Sequence, residues 1–436
     1  MSSSFYRVST ANMYDATLRN LSARQKSLVD LQENLTAGKR VVRPSDDPVA
    51  AAQAERALTR ISRIQTEQRA LDVQRNAIAQ AESTLGDAVG LVQEIRQLVV
   101  AAGGGALKPE DRKTYANQIQ SLREQLTQVI NRKDTNGVPL LGALGSALEP
   151  FTGPLLSNPD YLFAGLPGQA ASGGTSIPTT VDGHAALMFD PQRDGVYYAS
   201  LGALPSGRTL TTSGITPVDP SQVTGHKYAI VFSAVGPGAT PGTSTATYTI
   251  QDLTLGTASA PVVIPDFPND KPLSIEISAA ANPAVHLPGL SFTINAGAIK
   301  QADGSLVYSP ANGDSITLQP SPSLMSSIDS AIRDIGGAAN NNAAAQAVGQ
   351  ALANIDAGME RLHNMRGYAG ELLNRADRIT GDQDKRSIQL EADRSRAEDL
   401  DMVQGISDFQ NASVGYEAAL KSYAQVQRLS LFNFIN

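Results

Sequence analysis

Few residues in this chain have the types and spacing that chemistry needs. The densest group is Ser45-Asp46-Asp47, a hydroxyl beside two carboxylates. Two neighbouring acids with no histidine or third acid nearby are a poor set for a hard cation, which takes about six to eight oxygens. The same tripeptide followed by Pro48 is what a helix start requires: Asp47 can accept free amides, and proline fits the first helical position. Gly103-Gly104-Gly105 has the glycine content of a phosphate loop, but no Lys-Ser/Thr follows and no strand precedes it, so it reads as a helix break. His184, His226, His286 and His363 are scattered, with no His-x-x-x-His pair and no nucleophile elbow. The 436 residues contain no cysteine, which excludes thiolate nucleophiles, thiolate zinc sites and disulfides. Three Asn-x-Ser/Thr triplets, at Asn20, Asn34 and Asn411, fall on helical seams and carry no expectation of glycosylation. No catalytic, cofactor-binding or metal-binding residue is assigned, and the expectation is a protein that is not an enzyme and takes no cofactor.

Partners are bounded by charge and hydropathy. The formal net charge is −7 and lysine and arginine form no run, which argues against a nucleic-acid partner. No stretch reaches the ~20 apolar residues of a membrane span, so no membrane insertion is expected. Arg7, Asp15, Arg19, Arg24 and Lys26 interrupt residues 1–36, so no cleaved signal peptide is expected.

The elements follow from periodicity. Leu166 to Ser323 holds 15 charged residues against 62 in the two flanks, and 17 of the 24 prolines. Long helices need charged outer faces and exclude proline, whereas turn-dense β domains show the opposite bias. A first helix is predicted from Ser9 to Ala37, ended by Gly38, with Tyr14, Leu18, Leu21, Gln25, Leu28, Gln32 and Leu35 along one seam. A second opens at Pro48, where Ile64, Leu71, Ile78, Leu85, Val92 and Val99 recur at strict seven-residue intervals, a pattern that implies a long helix wrapped on partners. A third begins near Pro109, Asn136-Gly137 makes a tight turn, and Leu140 to Phe163 reads as a loop or short hairpin. The aromatic and β-branched runs Tyr228–Phe232 and Thr247–Ile250, with the alternating runs Ser274–Ile277, Leu290–Ile294 and Ser315–Leu318, predict a sandwich or open barrel, with 166–215 an extended loop carrying a few short strands. Helix returns after Pro322 with Val348, Leu352, Ile355, Met359, Leu362, Ala369 and Leu373 at helical spacing, and a break is expected at Thr380-Gly381-Asp382. A last helix is expected from about Asp384 to Leu431, with Met402, Ile406, Phe409, Ser413, Tyr416, Leu420, Tyr423 and Gln427 on its seam.

Terminal helices that expose apolar seams are marginal alone in water, so the two ends are expected to pack together and against other copies, with the β domain projecting as an insertion. The fold class is α+β: a discontinuous long-helix coiled-coil core formed by both termini with a central inserted β-rich, sandwich-like domain. The expected divisions are 1–45 with 395–436 as an inner tube, 46–165 with 324–394 as a helical core, and 166–323 as an outer β domain. The polar seam residues Gln25, Gln32 and Gln427 are expected to set register, as buried polar residues do in coiled coils.

Four segments in order resemble the bacterial flagellin superfamily, and within it most closely the hook–filament junction type, the third hook-associated proteins. They are Arg7-Val8-Ser9-Thr10-Ala11-Asn12-Met13; Leu35-Thr36-Ala37-Gly38-Lys39-Arg40 leading into Pro44-Ser45-Asp46-Asp47-Pro48; Asn136-Gly137 with Tyr161-Leu162-Phe163-Ala164-Gly165; and Glu398-Asp399-Leu400-Asp401-Met402 with Tyr416-Glu417-Ala418-Ala419-Leu420 and Leu429-Ser430-Leu431-Phe432-Asn433-Phe434. They span both flanks, nearly two-thirds of the chain. The central block, with Leu290 to Ile294 and then Asn312-Gly313-Asp314, is similar to the β domain of the same type. Filament flagellin is the alternative; its usual Ile-Asn-Thr-Asn start is replaced here by Arg7-Val8-Ser9-Thr10. A secreted enzyme or adhesin would need a polar or metal cluster in 166–323, and none is seen.

The resemblance implies a structural subunit of the flagellum that joins hook to filament. It would be exported unfolded through the flagellar type III channel to an extracellular position and would fold on assembly. The implied partners are other copies of the chain, the neighbouring hook-associated protein, flagellin, and a cytosolic export chaperone. The expected assembly residues are Leu18, Leu21, Leu28, Leu35, Ile64, Leu71, Ile78, Leu85, Met402, Ile406, Phe409, Leu431 and Phe434. Tyr416, Leu420 and Tyr423 are the expected chaperone-binding stripe, because an uncovered apolar face invites premature association.

Overall fold

The computed structural model describes residues 4–157, 160–202, 210–278, 287–300 and 306–435. The helices of the first flank are α1 (Ser4–Ala37), α2 (Pro48–Ala102) and α3 (Pro109–Ile130). A small hairpin, β1 (Phe151–Thr152) with β2 (Leu162–Phe163), precedes two short helices, α4 (Gly183–Leu187) and α5 (Pro191–Asp194). The strands that follow are β3 (Tyr197–Leu201), β4 (Leu210–Thr212), β5 (Thr216–Pro217), β6 (Tyr228–Pro237), β7 (Thr243–Asp252), β8 (Thr257–Ala258), β9 (Val262–Pro268), β10 (Leu273–Ser278), β11 (Leu290–Ala296), β12 (Ala298–Lys300), β13 (Leu306–Tyr308) and β14 (Ser315–Pro320). The chain closes with α6 (Leu324–Gly336), α7 (Asn341–Glu398) and α8 (Met402–Ile435). The α+β class with long terminal helices and a central sheet region is therefore the observed one. The chain divides into two compact units, residues 1–70 with 378–436 and residues 71–377.

Among the described residues of the larger unit, β12 and β13 pair as a separate two-stranded ribbon, and most other strands form two larger antiparallel sheets. One runs β3-β14-β6-β7, with β8 and β9 both on β7, and the other runs β10-β11-β4, with β5 on β11. Alternation along β7 and β11 points every second residue inward, as the period of two requires. Tyr197, Phe232, Tyr248, Ile250, Ile316 and Leu318 from one sheet meet Ile277, Phe292 and Ile294 from the other in a single core. The segment before the sheets is more ordered than its sequence suggests: Asp182 and Asp190 cap α4 and α5, and Arg361 of α7 clasps both, with Nη1 2.6 Å from Asp194 and Nη2 donating to the Ala185 carbonyl at 2.6 Å.

Two outer strands, β3 and β4, would leave backbone groups unpaired, and α7 supplies the partners. Gln346 accepts from the Thr212 amide at 2.6 Å; Gln350 accepts from the Ala199 amide at 3.2 Å and donates to the Ser213 carbonyl at 2.7 Å. Covering a strand edge in this way removes a template for unwanted pairing. The start of α7 is fixed as well: Asn340 caps it, and Asn341 bonds the Gly105 carbonyl and the buried Arg112 of α3.

The α2 seam is buried at every seven-residue step from Ala50 through Ala57, Ile64, Leu71, Ile78, Leu85 and Val92 to Val99. The matching seam on α7 runs Val348, Ile355, Leu362, Ala369, Ala376, Gln383, Leu390 and Ala397, all buried as well. Two expectations for α7 need correction. Thr380-Gly381-Asp382 is no break, because the helix runs through it with Ala376, Ile379 and Gln383 buried around it; a mid-helix glycine costs only about 1 kcal/mol relative to alanine, which packing outweighs. The final helix consequently does not start at Asp384 but at Met402, after Asp399-Leu400-Asp401, where Asp401 caps the amides of Val403 and Gln404. After Ala369 the covered residue is Leu372, with Leu373 only half-buried.

Candidate assembly interface

The smaller unit carries the surface that the sequence singled out. Gly38, at φ +67°, ends α1 in the left-handed conformation that glycine adopts freely. The chain then pairs with the end of α7: the amides of Arg40 and Val41 donate to the Glu398 carbonyl at 2.7 and 3.3 Å, the Leu400 amide donates to the Gly38 carbonyl at 3.0 Å, and Lys39 forms an ion pair with Glu398. These bonds set α1 and α8 antiparallel. Near the far end, the Tyr423 hydroxyl donates to that of Tyr14 at 2.7 Å with ring centroids 5.7 Å apart. Near the base, Gly405 sits where a β-carbon would lie 2.7 Å from Leu400 and 3.2 Å from Leu35, so the two helices approach closely there. A small apolar cluster of Val41, Ala50, Ala54 and Ala397 closes the base.

Beyond that base the hairpin buries almost nothing. Among the described side chains of α1 none is buried, and among those of α8 only Gly405 is. Leu18 is 37% exposed, Met402 and Ile406 are each 46% exposed and Leu420 is 40% exposed, while Leu21, Leu28, Leu35, Phe409, Tyr416 and Tyr423 are half-buried. Gln25 and Gln32 are exposed. The side chains of Gln427, Leu431 and Phe434 lie outside the described residues. Ile64, Leu71, Ile78 and Leu85 are placed differently, covered within the fold of this chain. The structure thus brings α1 and α8 together as an open two-helix face and keeps the α2 seam inside.

The other sequence candidates resolve into structural parts. Asp47 accepts from the amides of Val49 and Ala50 at 3.1 and 3.0 Å, and the Ala50 amide foremost, with Arg40 beside it, holds its carboxyl below the usual range. Asp46 accepts from the Arg43 amide at 2.8 Å. Gly103-Gly104-Gly105 follows the end of α2. His184 packs edge-on to Phe163, and burial pushes its imidazole below the ordinary value; His226 contacts Asp252 at 2.7 Å; His363 is exposed; His286 lies outside the described residues. Among the described residues no three His, Cys, Asp or Glu side chains converge as a metal site, and no helix is long and apolar enough to cross a membrane. Sequence reading missed three buried polar groups: Arg112, the Gln346–Gln350 pair and Gln383. Only the seven-residue stride on α7 could have located Gln383.

Long helices flank an inserted two-sheet domain, and both ends of the chain meet in an unburied hairpin. Residues 8–144 match the family model for the bacterial flagellin N-terminal helical region. The chain is also similar to flagellar hook-associated protein 3. The Escherichia coli protein of that name is 27% identical over 239 residues, which cover 54% of this chain and 67% of its own length. The Salmonella typhimurium protein is 32% identical over 147 residues, covering 33% of this chain and 46% of its own length. In fold, the crystal structure of hook-associated protein 3 from Legionella pneumophila superposes with a TM-score of 0.58 at 19% identity, covering 78% of this chain and 97% of that one.

Proposed function

We propose that this chain is a structural subunit of the bacterial flagellum that joins hook to filament. One observation carries the reading: the two 34-residue helices α1 and α8 pair from the Gly38–Leu400 base as far as Tyr14 and Tyr423 and leave their described apolar stripes largely uncovered, while the seams of α2 and α7 are buried. Apolar stripes of that extent gain stability when neighbouring subunits cover them, and assembly then supplies the packing that the isolated hairpin lacks. Leu18, Leu21, Leu28, Leu35, Met402, Ile406 and Phe409 form the contact stripe between copies, with Leu431 and Phe434 continuing it. Ile64, Leu71, Ile78 and Leu85 serve assembly indirectly, by stiffening α2. The layering 1–45 with 395–436, 46–165 with 324–394, and 166–323 outermost follows from the same reading. So do export in an unfolded state to the cell exterior, contact with a hook-associated neighbour and flagellin, and a chaperone covering Tyr416, Leu420 and Tyr423 before export.

The test is electron microscopy of the purified chain mixed separately with isolated hooks, with filament fragments and with buffer. Short caps on hooks and no long fibres are expected. Long filaments grown from filament seeds would make it a filament flagellin, and binding to neither would end the flagellar reading.

A further inference from the structure

Two grooves on α2 have complementary features that the hairpin does not explain. The first, about 610 Å³, lies in the smaller unit between the start of α2 and the end of α7. Its floor is apolar, from Ala50, Ala57, Leu390 and Ala397. Arg40 and Arg396 at its rim are already paired with Asp47 and Asp393. Arg56 and Arg60 are not: both are exposed, and no hydrogen bond or ion pair joins them to any described residue. Like charges one turn apart repel each other and destabilise a helix unless something opposes them. The second groove, about 510 Å³, lies in the larger unit between α2 and α3. There Asp87 is paired with Arg132, whereas Glu94 has no partner among the described residues. Gly90 opens the floor between them, since a β-carbon added there would touch nothing within 4 Å, and Leu91 stands beside it.

We infer that the Arg56–Arg60 groove receives, head to tail, the α2–α3 face of a second copy of this chain that carries Asp87, Leu91 and Glu94. The first groove has an excess of positive charge and an apolar floor. The second presents the unmatched carboxylate, an apolar side chain and a glycine that permits close approach. The two surfaces differ, so the contact is heterologous and propagates from copy to copy instead of closing a two-fold dimer. This inference rests on the assembly reading and adds a charge-matched contact to the apolar one.

The absence of cysteine makes the test direct. Gln53 lines the first groove and Gln128 the second, both exposed. Full-length Gln53→Cys and Gln128→Cys proteins are mixed, bound to isolated hooks and mildly oxidised. The expected result is a mixed disulfide several-fold more abundant than either homodimer, with a yield that falls as salt is raised. Arg56→Glu with Arg60→Glu should abolish the band, and Glu94→Arg in the partner protein should restore it. Caps on hooks with a mixed disulfide no more abundant than the statistical share overturn this contact and leave the assembly reading intact. Failure to cap hooks at all overturns both.

Discussion

Gln350 and Gln383 lie on one helix and are both buried, with 1% and 5% exposure, yet the same substitution should move stability in opposite directions. Gln350→Leu removes the acceptor for the Ala199 amide and the donor to the Ser213 carbonyl. Each stranded backbone group costs about 1–3 kcal/mol, and the added apolar surface returns part of that, so the net loss is about 2–4 kcal/mol. Gln383 is the reverse case, because neither its amide nitrogen nor its oxygen meets a partner among the described residues. Leucine there removes an existing desolvation cost and completes the apolar seam between Ala376 and Leu390, for a gain of about 1–3 kcal/mol. The assay is urea unfolding of each variant beside the parent, followed by circular dichroism, with the helical signal drawn from both units. The near-ultraviolet tyrosine band reports the core that holds Tyr197, Tyr228 and Tyr248. With urea slopes of about 1–3 kcal/mol per molar, the two midpoints should move by about 1 M, one down and one up. Shifts of the same sign would refute the reasoning that hydrogen-bond satisfaction, and not burial alone, decides the value of a glutamine here.

The seams should separate in the same way. Leu85→Ala, at a fully buried position, should lower stability of the isolated chain by about 2–5 kcal/mol, whereas Leu18→Ala, at 37% exposure, should leave urea unfolding within about 0.5 kcal/mol but weaken binding to hooks in a sedimentation assay. Asp334 gives a pH signature. Burial pushes its carboxyl up to about 6, and Arg333, 3.4 Å away and largely exposed, does not offset this. An acid raised in the folded state contributes stability that is complete below about pH 4 and is lost as pH rises through about 6. Asp334→Asn should therefore match the parent at pH 4 and exceed it by about 1–3 kcal/mol at pH 7, measured by thermal unfolding across that range. Equal melting at both pH values would show that the carboxyl is not desolvated.

How far the sequence discloses this fold depends on what each seam is made of. The α2 stripe is legible because six of its positions are large and apolar. The α7 stripe has the same seven-residue stride and the same burial, but Ala369, Ala376, Gln383 and Ala397 are small or polar, and the pattern fades where Gly381 follows. Small residues at a seam let helices approach closely, so the feature that hides the stripe from a hydrophobicity reading is also what makes the packing tight. The break at Asp399–Asp401 was hidden for a related reason: an aspartate cap is a local signal, and the backbone pairing with Gly38 and Arg40 is a tertiary one. The strands were legible from alternation, while the order in 182–194 was not, because it depends on Arg361 from more than 160 residues away.

The hairpin places the assembly stripe under a condition that a single amphipathic helix would not impose. The proposed face is composite: Leu18, Leu21 and Leu28 come from one flank, Met402, Ile406 and Phe409 from the other, and the Tyr14–Tyr423 contact ties the two helices together. Neither helix presents that surface alone. The bonds at the base, from Arg40 and Val41 to Glu398 and from Leu400 to Gly38, couple the hairpin directly to α7. In the proposed assembly, a neighbouring subunit that recognises the composite face recognises a chain whose two flanks have already met and whose α7 is in place. The helices hold their own backbone hydrogen bonds, so what association adds is chiefly apolar burial and lost fluctuation, terms that grow with the number of neighbours. On the assembly reading proposed above, that dependence leaves the hairpin weakly held in isolation and firmly held among neighbouring copies.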